Sequence, residues 1–340
     1  MLFAMGDLFL PIISLLNKSI KLTVNYFLGP LLFVILSYSL YKQIINQPDL
    51  QTRWQQIKLS WENPLFWLVF ILMFFNWGIE SAKWKLLMKP LEKITLYKSI
   101  KSVFAGCSIT MLTPNRTGEF GGRILFVKPE NRIKAISTTI LGSVSQLAIT
   151  TFTGTIGLCY LKYFSGYENQ LEKLPWIFND LFFFISILLT IILLLLFFKI
   201  HFFIVIVSKL SFIKKLIIHI DIIDSFTSKE LLRILMYSFI RYLVFILQFI
   251  LMLHVMHVSI GFYISFWLLT VFYLMMVLLP TIGFTELPVR AAASVLILGL
   301  FSNNILGIQV ASFGIWLINL VLPAIIGSIF MFRIKIMKVK

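Results

Sequence analysis

TPNRTGEFGGR, Thr113 to Arg123, packs two arginines, one glutamate, a proline and three glycines into eleven residues. It is set in a chain of 340 residues that is 59% hydrophobic and 13% charged, with a mean hydropathy of +0.94. A soluble domain carries about 25% charge. Repeated apolar runs of roughly 17 to 25 residues, each able to cross about 30 Å of hydrocarbon as helix, make the chain an all-α polytopic membrane protein. The longest stretch without such a run is a few tens of residues. That leaves no room for a soluble catalytic domain, and residues 1–340 read as a single integral membrane unit. The polar stretch therefore has to be explained at or near the bilayer.

Working outward, eight membrane helices are expected near Thr23 to Ile45, Leu65 to Ile79, Lys134 to Leu161, Leu181 to Phe198, Leu231 to His254, Phe262 to Leu279, Leu287 to Phe301 and Ile305 to Phe332. The net charge of +16 points to cytoplasmic loops rather than to nucleic acid, because basic residues resist translocation. The loop ESAKWKLLMKPLEKITLYKSIK holds six Lys against two Glu, and the segment from Lys199 to Arg233 holds six Lys or Arg against three acids. Both are expected inside. KYFSGYENQLEKLPWIFND, with two Lys against three acids, and the uncharged VMHVSIG are expected outside. Eight crossings then place both termini in the cytoplasm, with the chain in the cytoplasmic membrane. The N-terminus has no basic region ahead of its first apolar stretch, so no cleaved signal peptide is expected.

One segment does not fit that count. SVFAGCSITMLTPNR, from Ser102, offers about a dozen apolar residues before Pro114, too few to span but enough to enter and return. Backbone that leaves helical hydrogen bonding at membrane depth is tolerated only where protein or a water-filled cavity replaces the lost partners. Thr113, Pro114, Asn115 and Gly118 are therefore expected to line a cavity. The pattern occurs again in LPTIGFTELPVR, Leu279 to Arg290, where Pro280, Gly283 and Thr285 precede Glu286 and Arg290. Glu119 and Arg123 stand 167 residues before Glu286 and Arg290, and Pro114 stands 166 before Pro280. Paired interruptions in two halves of a membrane protein point to a transporter-like site at a repeat interface, and suggest an internal repeat.

At i and i+4 the Glu and Arg of each motif share a helix face, with the acid near the positive N-terminal end of the helix. Either pair alone could be a staple that pins a helix break. Both together, with Arg116 lacking a local acid, favour an anion site: guanidinium groups and broken-helix N–H groups suit a phosphate. Arg116, Arg123 and Arg290 are the expected headgroup contacts. Glu119 and Glu286 are expected to orient them, accept headgroup donors or titrate.

TPNRTGEFGGRILFV resembles the P-x-R-x-G-E-x-x-x-R signature of the lysylphosphatidylglycerol synthase transmembrane family, also called flippase-like or UPF0104 proteins. LLPTIGFTELPVRAA is similar to that family's second motif, although the family usually has several glycines where this chain has TIGFT. The resemblance runs from about Val24 to Phe332. It implies a membrane domain that carries a polar-headed phospholipid or a polyprenyl-linked lipid between leaflets, with a separate lipid-modifying enzyme as a partner. Long family members add a soluble aminoacyl-transfer domain; this chain stops at Lys340 without one and is not expected to synthesise aminoacylated lipid.

Two other classes compete. GFTELPV is similar to the G-x-T-E-x-x-P-V segment of undecaprenyl-diphosphate phosphatases, but the residues that follow are RAAAS and no nucleophile or base is in place, so a hydrolase has no actor. A non-catalytic accessory subunit of a lipid-modifying system is the third class. No cofactor and no metal is expected: His254 and His257 have no acid or cysteine nearby to complete a ligand set and read as interfacial, and Cys107 and Cys159 make no ligand pattern. Gln146, mid-span among small and hydroxyl residues, is expected to pack closely or line the cavity. Asn76 and Glu80 approach the end of the second span, where a solvated Glu80–Lys83 pair is the default expectation. FIVIVSKLSFIKKLIIHI reads as a helix lying on the inner leaflet.

Overall fold

The computed structural model describes residues 50–111, 118–171, 180–199, 221–279 and 286–332, with isolated positions at 38, 41, 42, 45, 173, 174 and 177. The expected span Thr23 to Ile45 and the inner-leaflet stretch at 203–220 fall wholly or almost wholly outside them, as do both motif interruptions, 112–117 and 280–285. In chain order the main helices are α1 Leu50–Lys58, α2 Pro64–Leu87, α3 Leu96–Met111, α4 Gly118–Ile124, α5 Arg132–Tyr163, α6 Asp180–Phe198, α7 Ser228–Val255, α8 Phe262–Leu278, α9 Glu286–Leu298, α10 Ile305–Trp316 and α11 Leu322–Phe332. No strand occurs among the described residues. Helices α2, α5, α6, α7 and the joined α10–α11 are long and apolar enough to cross a membrane.

Local chemistry sets where these helices begin. Asn63 accepts a hydrogen bond from the Leu65 N–H and Pro64 occupies the first position of α2. Thr227 and Glu230 close a capping box on α7, and Asn304 accepts from the Gly307 N–H to start α10. Between α10 and α11 the helix widens into a π-turn, Leu317–Val321. Pro323 explains it: proline has no N–H to give the Asn319 carbonyl, and its ring crowds that oxygen.

The bundle has two distinguishable ends. Lys89, after α2, pairs with Glu230 at the start of α7 (2.5 Å), which defines a lysine-rich end. At the other end of α7, His254 and His257 line a cavity of about 430 Å³ with Asn63 and residues 258–261, which defines a histidine end. Both histidines are exposed there, as an end position requires.

Two helix pairs do not cross. α3 and α4 fold back on each other with their open end at the lysine-rich end: Ser102 Oγ donates to the Arg123 carbonyl (2.8 Å), and Asn131, just past α4, donates to the Leu91 carbonyl, just before α3 (3.2 Å). At 1.5 Å per residue α3 is about 24 Å long and α4 about 10 Å, short of the roughly 30 Å of hydrocarbon. This is the re-entrant segment expected from Ser102, begun two turns earlier at Leu96. The backbones touch at Gly122, where a Cβ would stand 2.3 Å from the Ala105 carbonyl oxygen, and α11 closes on α3 at Gly327, where a Cβ would stand 1.9 Å from the Phe104 oxygen.

The expected full span Leu287 to Phe301 is corrected in the same way. It is the helix Glu286–Leu298, about 20 Å long and too short to cross, and α8, on the expected span Phe262 to Leu279, is about 25 Å long and likewise short of the hydrocarbon. Asn304, after α9, donates to the carbonyls of Met256 and His257, just before α8 (3.0 and 3.1 Å). The open end of the α8–α9 pair therefore lies at the histidine end. The two interrupted hairpins enter the bundle from opposite ends, the arrangement expected of inverted repeats.

Candidate functional site

A buried charged layer lies at the depth of the α3–α4 hairpin. Its hub is Glu80 on α2, 3% exposed. The carboxylate takes Arg123 of α4 on Oε1 (2.6 Å), and Lys83 (2.9 Å) and Arg241 of α7 (3.0 Å) on Oε2. Arg123 also pairs with Glu119, the i and i+4 partner expected from the sequence. The solvated interfacial pair expected for Glu80 and Lys83 is corrected: α2 continues two turns beyond Ile79 to Leu87, so both side chains lie inside the bundle.

Donor and acceptor logic fixes the rest of the layer. An ammonium only donates, so the Lys83 Nζ gives to the Gly142 carbonyl (3.4 Å) and to Ser238 Oγ (3.3 Å). Ser145 Oγ gives to Gly142, so in its 2.8 Å contact with Ser238 it is the acceptor. Arg241 Nε gives to Asn76 Oδ1 (3.0 Å). That orients the Asn76 amide so that Nδ2 gives to Asn319 Oδ1 (3.1 Å) on the π-turn, whose own Nδ2 gives to the Ile315 carbonyl. Arg241 Nη1 reaches Gln146 Oε1 (3.4 Å), and Gln146 Nε2 gives to the Ser238 carbonyl. The guanidinium carbons of Arg241 and Arg123 lie 5.0 and 5.1 Å from the ring centres of Trp77 and Trp84, which shield them from apolar surroundings. Charges held at membrane depth are costly and are characteristic of sites and pathways.

The sequence-derived residues divide clearly. Gly118, Glu119 and Arg123 stand on α4, with Gly118 buried at its first position. Gln146 belongs to the layer as a holder of Arg241. Glu286 and Arg290 pair on α9 at 3.5 Å, each 12% exposed, with Arg290 facing the Phe272 ring. No ion pair among the described residues joins the two Glu/Arg pairs. Thr113, Pro114, Asn115, Arg116, Pro280, Gly283 and Thr285 lie outside the described residues. Among those described, no group of three metal-ligating side chains forms. Sequence reasoning missed Arg241, Ser238 and Asn319. The available signal was a single arginine within SFIRYLVFILQF, a position that apolar packing alone does not tolerate.

Fold and site define a multi-pass helical membrane protein with two interrupted hairpins and a buried ionic layer. The chain belongs to the lysylphosphatidylglycerol synthase TM region family, whose model matches residues 26–327. It is thus a membrane protein of a family that fits lipid metabolism or transport. No curated protein and no solved structure matches the chain.

Proposed function

We propose that this protein is a lipid translocase that carries a polar-headed phospholipid or polyprenyl-linked lipid between leaflets of the cytoplasmic membrane, with the lysine-rich end in the cytoplasm. The observation that carries the reading is the layer around Glu80: three cations, two carboxylates and five amide or hydroxyl side chains gathered at the depth of the α3–α4 hairpin, in a bundle otherwise built from apolar helices. A bundle needs no such layer to fold, since replacing buried ion pairs with apolar residues is commonly neutral or stabilising. A polar headgroup crossing the hydrocarbon does need it. The hairpins entering from opposite ends supply the alternation between the two sides. Membership of the family supports lipid as the cargo. The expected headgroup contacts are Arg116, Arg123 and Arg290, with Glu119 and Glu286 orienting them, and the protein performs no covalent chemistry on the lipid.

The test is reconstitution into liposomes carrying a panel of fluorescent lipids, with leaflet exchange read by quenching from outside. Exchange above protein-free vesicles for at least one polar-headed lipid is the expected result. Phosphate release from polyprenyl diphosphate, abolished by Glu286→Gln, would replace the translocase reading with an enzyme.

A further inference from the structure

Resting on the translocase reading, we infer that the π-turn Leu317–Val321 is the joint about which the two hairpins move against each other, and that Asn319 latches this joint to the charged layer. The two halves of the chain show that the architecture does not demand the turn. Shifting by the 167 residues that separate the Glu/Arg pairs carries α3 onto 263–278 and α5 onto 299–330, the positions of α8 and of the joined α10–α11. Yet α5 runs unbroken from Arg132 to Tyr163, whereas its counterpart widens at Leu317–Val321, where the Leu322 N–H reaches back five residues to the Leu317 carbonyl. The counterpart of Pro323 is Ile156, and that of Asn319 is Phe152, an exposed apolar side chain. A crossing helix of this bundle can therefore be straight, and π-turns inside α-helices concentrate at functional sites.

The segments on either side of the turn belong to different bodies. α11 is fixed to the first hairpin: besides the backbone approach of Gly327 to Phe104, Ser108 Oγ gives to the Ala324 carbonyl (2.6 Å) and the Phe330 ring meets Phe104 edge-on. α10 is fixed to the second: it packs along α9, and Asn304 at its start holds the carbonyls that precede α8. Near the turn α10 meets α7 at Gly314 through the end of the flexible Met252 side chain, a contact that yields. A π-turn holds one residue more than an α-turn, so tightening or moving it resets the rotation of α10 against α11, one residue being worth about 100°. The latch is the bond from Asn76 Nδ2 to Asn319 Oδ1, between residues 0% and 6% exposed. Asn76 Oδ1 in turn takes Arg241 Nε, and Arg241 pairs with Glu80. Asn76 thus stands between layer and joint. A new setting of Glu80 and Arg241 as the layer takes its cargo reaches Asn319, and by the same bond a turn of the joint reaches the layer.

Two spin-labelled pairs read the joint in proteoliposomes, in a background carrying Cys107→Ala and Cys159→Ala whose lipid exchange is measured alongside. Phe313 and Ile325 are exposed and bracket the π-turn; Ile140 and Phe152 are exposed and stand the same twelve residues apart on unbroken α5. The first pair should show two distances and the second pair one. Pro323→Ala supplies the missing N–H and a better helix former, so it should melt no lower than the wild type and hold the first pair at one distance. It should also slow lipid exchange by about tenfold or more, an ordinary size for a coupling between sites. A merely structural turn would leave exchange intact in so stable a variant. Asn319→Leu should redistribute the two distances, and if it fails to insert, Pro323→Ala still decides. Exchange at the wild-type rate in Pro323→Ala, a single distance between Phe313 and Ile325 in the wild type, or distances that neither variant alters would overturn the inference and leave the translocase reading standing. Exchange of no lipid by the wild type would remove both.

Discussion

The two hairpins carry the same Glu/Arg spacing and put it to different uses. On α4, Arg123 is buried between Glu119 and Glu80, tied to a helix 43 residues away in sequence. On α9, Arg290 meets Glu286 at 3.5 Å and each keeps some exposure. An i and i+4 pair in sequence therefore does not state its role; the third partner does. Among the described residues Arg123 is held by two carboxylates, from two helices, whereas Arg290 is held by one on its own helix. The largest expected effect follows. Glu80→Ala strands Lys83 and Arg241, leaves Arg123 with Glu119 alone and should destabilise the fold by about 3 to 5 kcal/mol, while Arg290→Ala should cost about 1 kcal/mol. Thermal unfolding in detergent measures both. Similar values for the two would dissolve the distinction between the hairpins.

Charge reversal sharpens the same contrast. Glu119→Arg with Arg123→Glu sets a new carboxylate against Glu80, so the ion pair is not simply turned round and the protein should lose a few kcal/mol of stability together with transport. Glu286→Arg with Arg290→Glu preserves its pair and should stay folded, while losing transport because positive charge moves by about one helical turn, roughly 5.4 Å. Recovery of transport in the second double variant would reduce that motif to a staple.

How far the sequence could be read depended on whether partners were local. Apolar run length located α2, α5, α6, α7, α8 and α10–α11, and proline and glycine marked both interruptions, because those signals are intrinsic to the segment. The Glu119–Arg123 and Glu286–Arg290 pairs were visible because helical periodicity brings them together. Glu80 was misread because its deciding partners, Arg123 and Arg241, come from other helices, and only folding shows that α2 carries it into the bundle. The crossing assigned to α9 failed for another reason. Hydropathy reports that a segment prefers lipid or protein interior, not whether its helix is long enough to reach the far side.

A smaller effect tests the close contact inside the first hairpin. At Gly122 a methyl group meets the Ala105 backbone, which cannot swing away as a side chain would, whereas at neighbouring Gly121 nothing lies within 4 Å. Gly122→Ala should destabilise by about 1 to 3 kcal/mol through overpacking. Gly121→Ala should be neutral or slightly stabilising, since alanine is the better helix former. Equal melting temperatures for the two variants would mean that α3 and α4 are not packed backbone to backbone.

The smallest effect distinguishes the open ends of the hairpins by their response to acid. At the lysine-rich end Glu92 accepts from Lys98 (2.9 Å) and from the Lys128 N–H (3.4 Å), joining the links on either side of the α3–α4 hairpin. Partial burial pushes its carboxyl up, but these hydrogen bonds outweigh that and hold it below the usual carboxylate range. A depressed folded-state value means that the carboxylate stabilises the protein fully above its unfolded-state value of about 4.3, and that this contribution fades as the pH falls through the lower folded-state value. At the histidine end the corresponding clamp is Asn304, which does not titrate. Glu92→Gln should therefore lower stability by about 1 kcal/mol or less at neutral pH, with the gap to wild type closing on acidification. Asn304→Ala should show a gap of about 1 kcal/mol that is independent of pH over the same range. A Glu92→Gln gap that stays constant down to the lowest pH at which the protein remains folded would mean that Lys98 and Lys128 do not hold that carboxylate, and that the two open ends are clamped by neutral contacts alike.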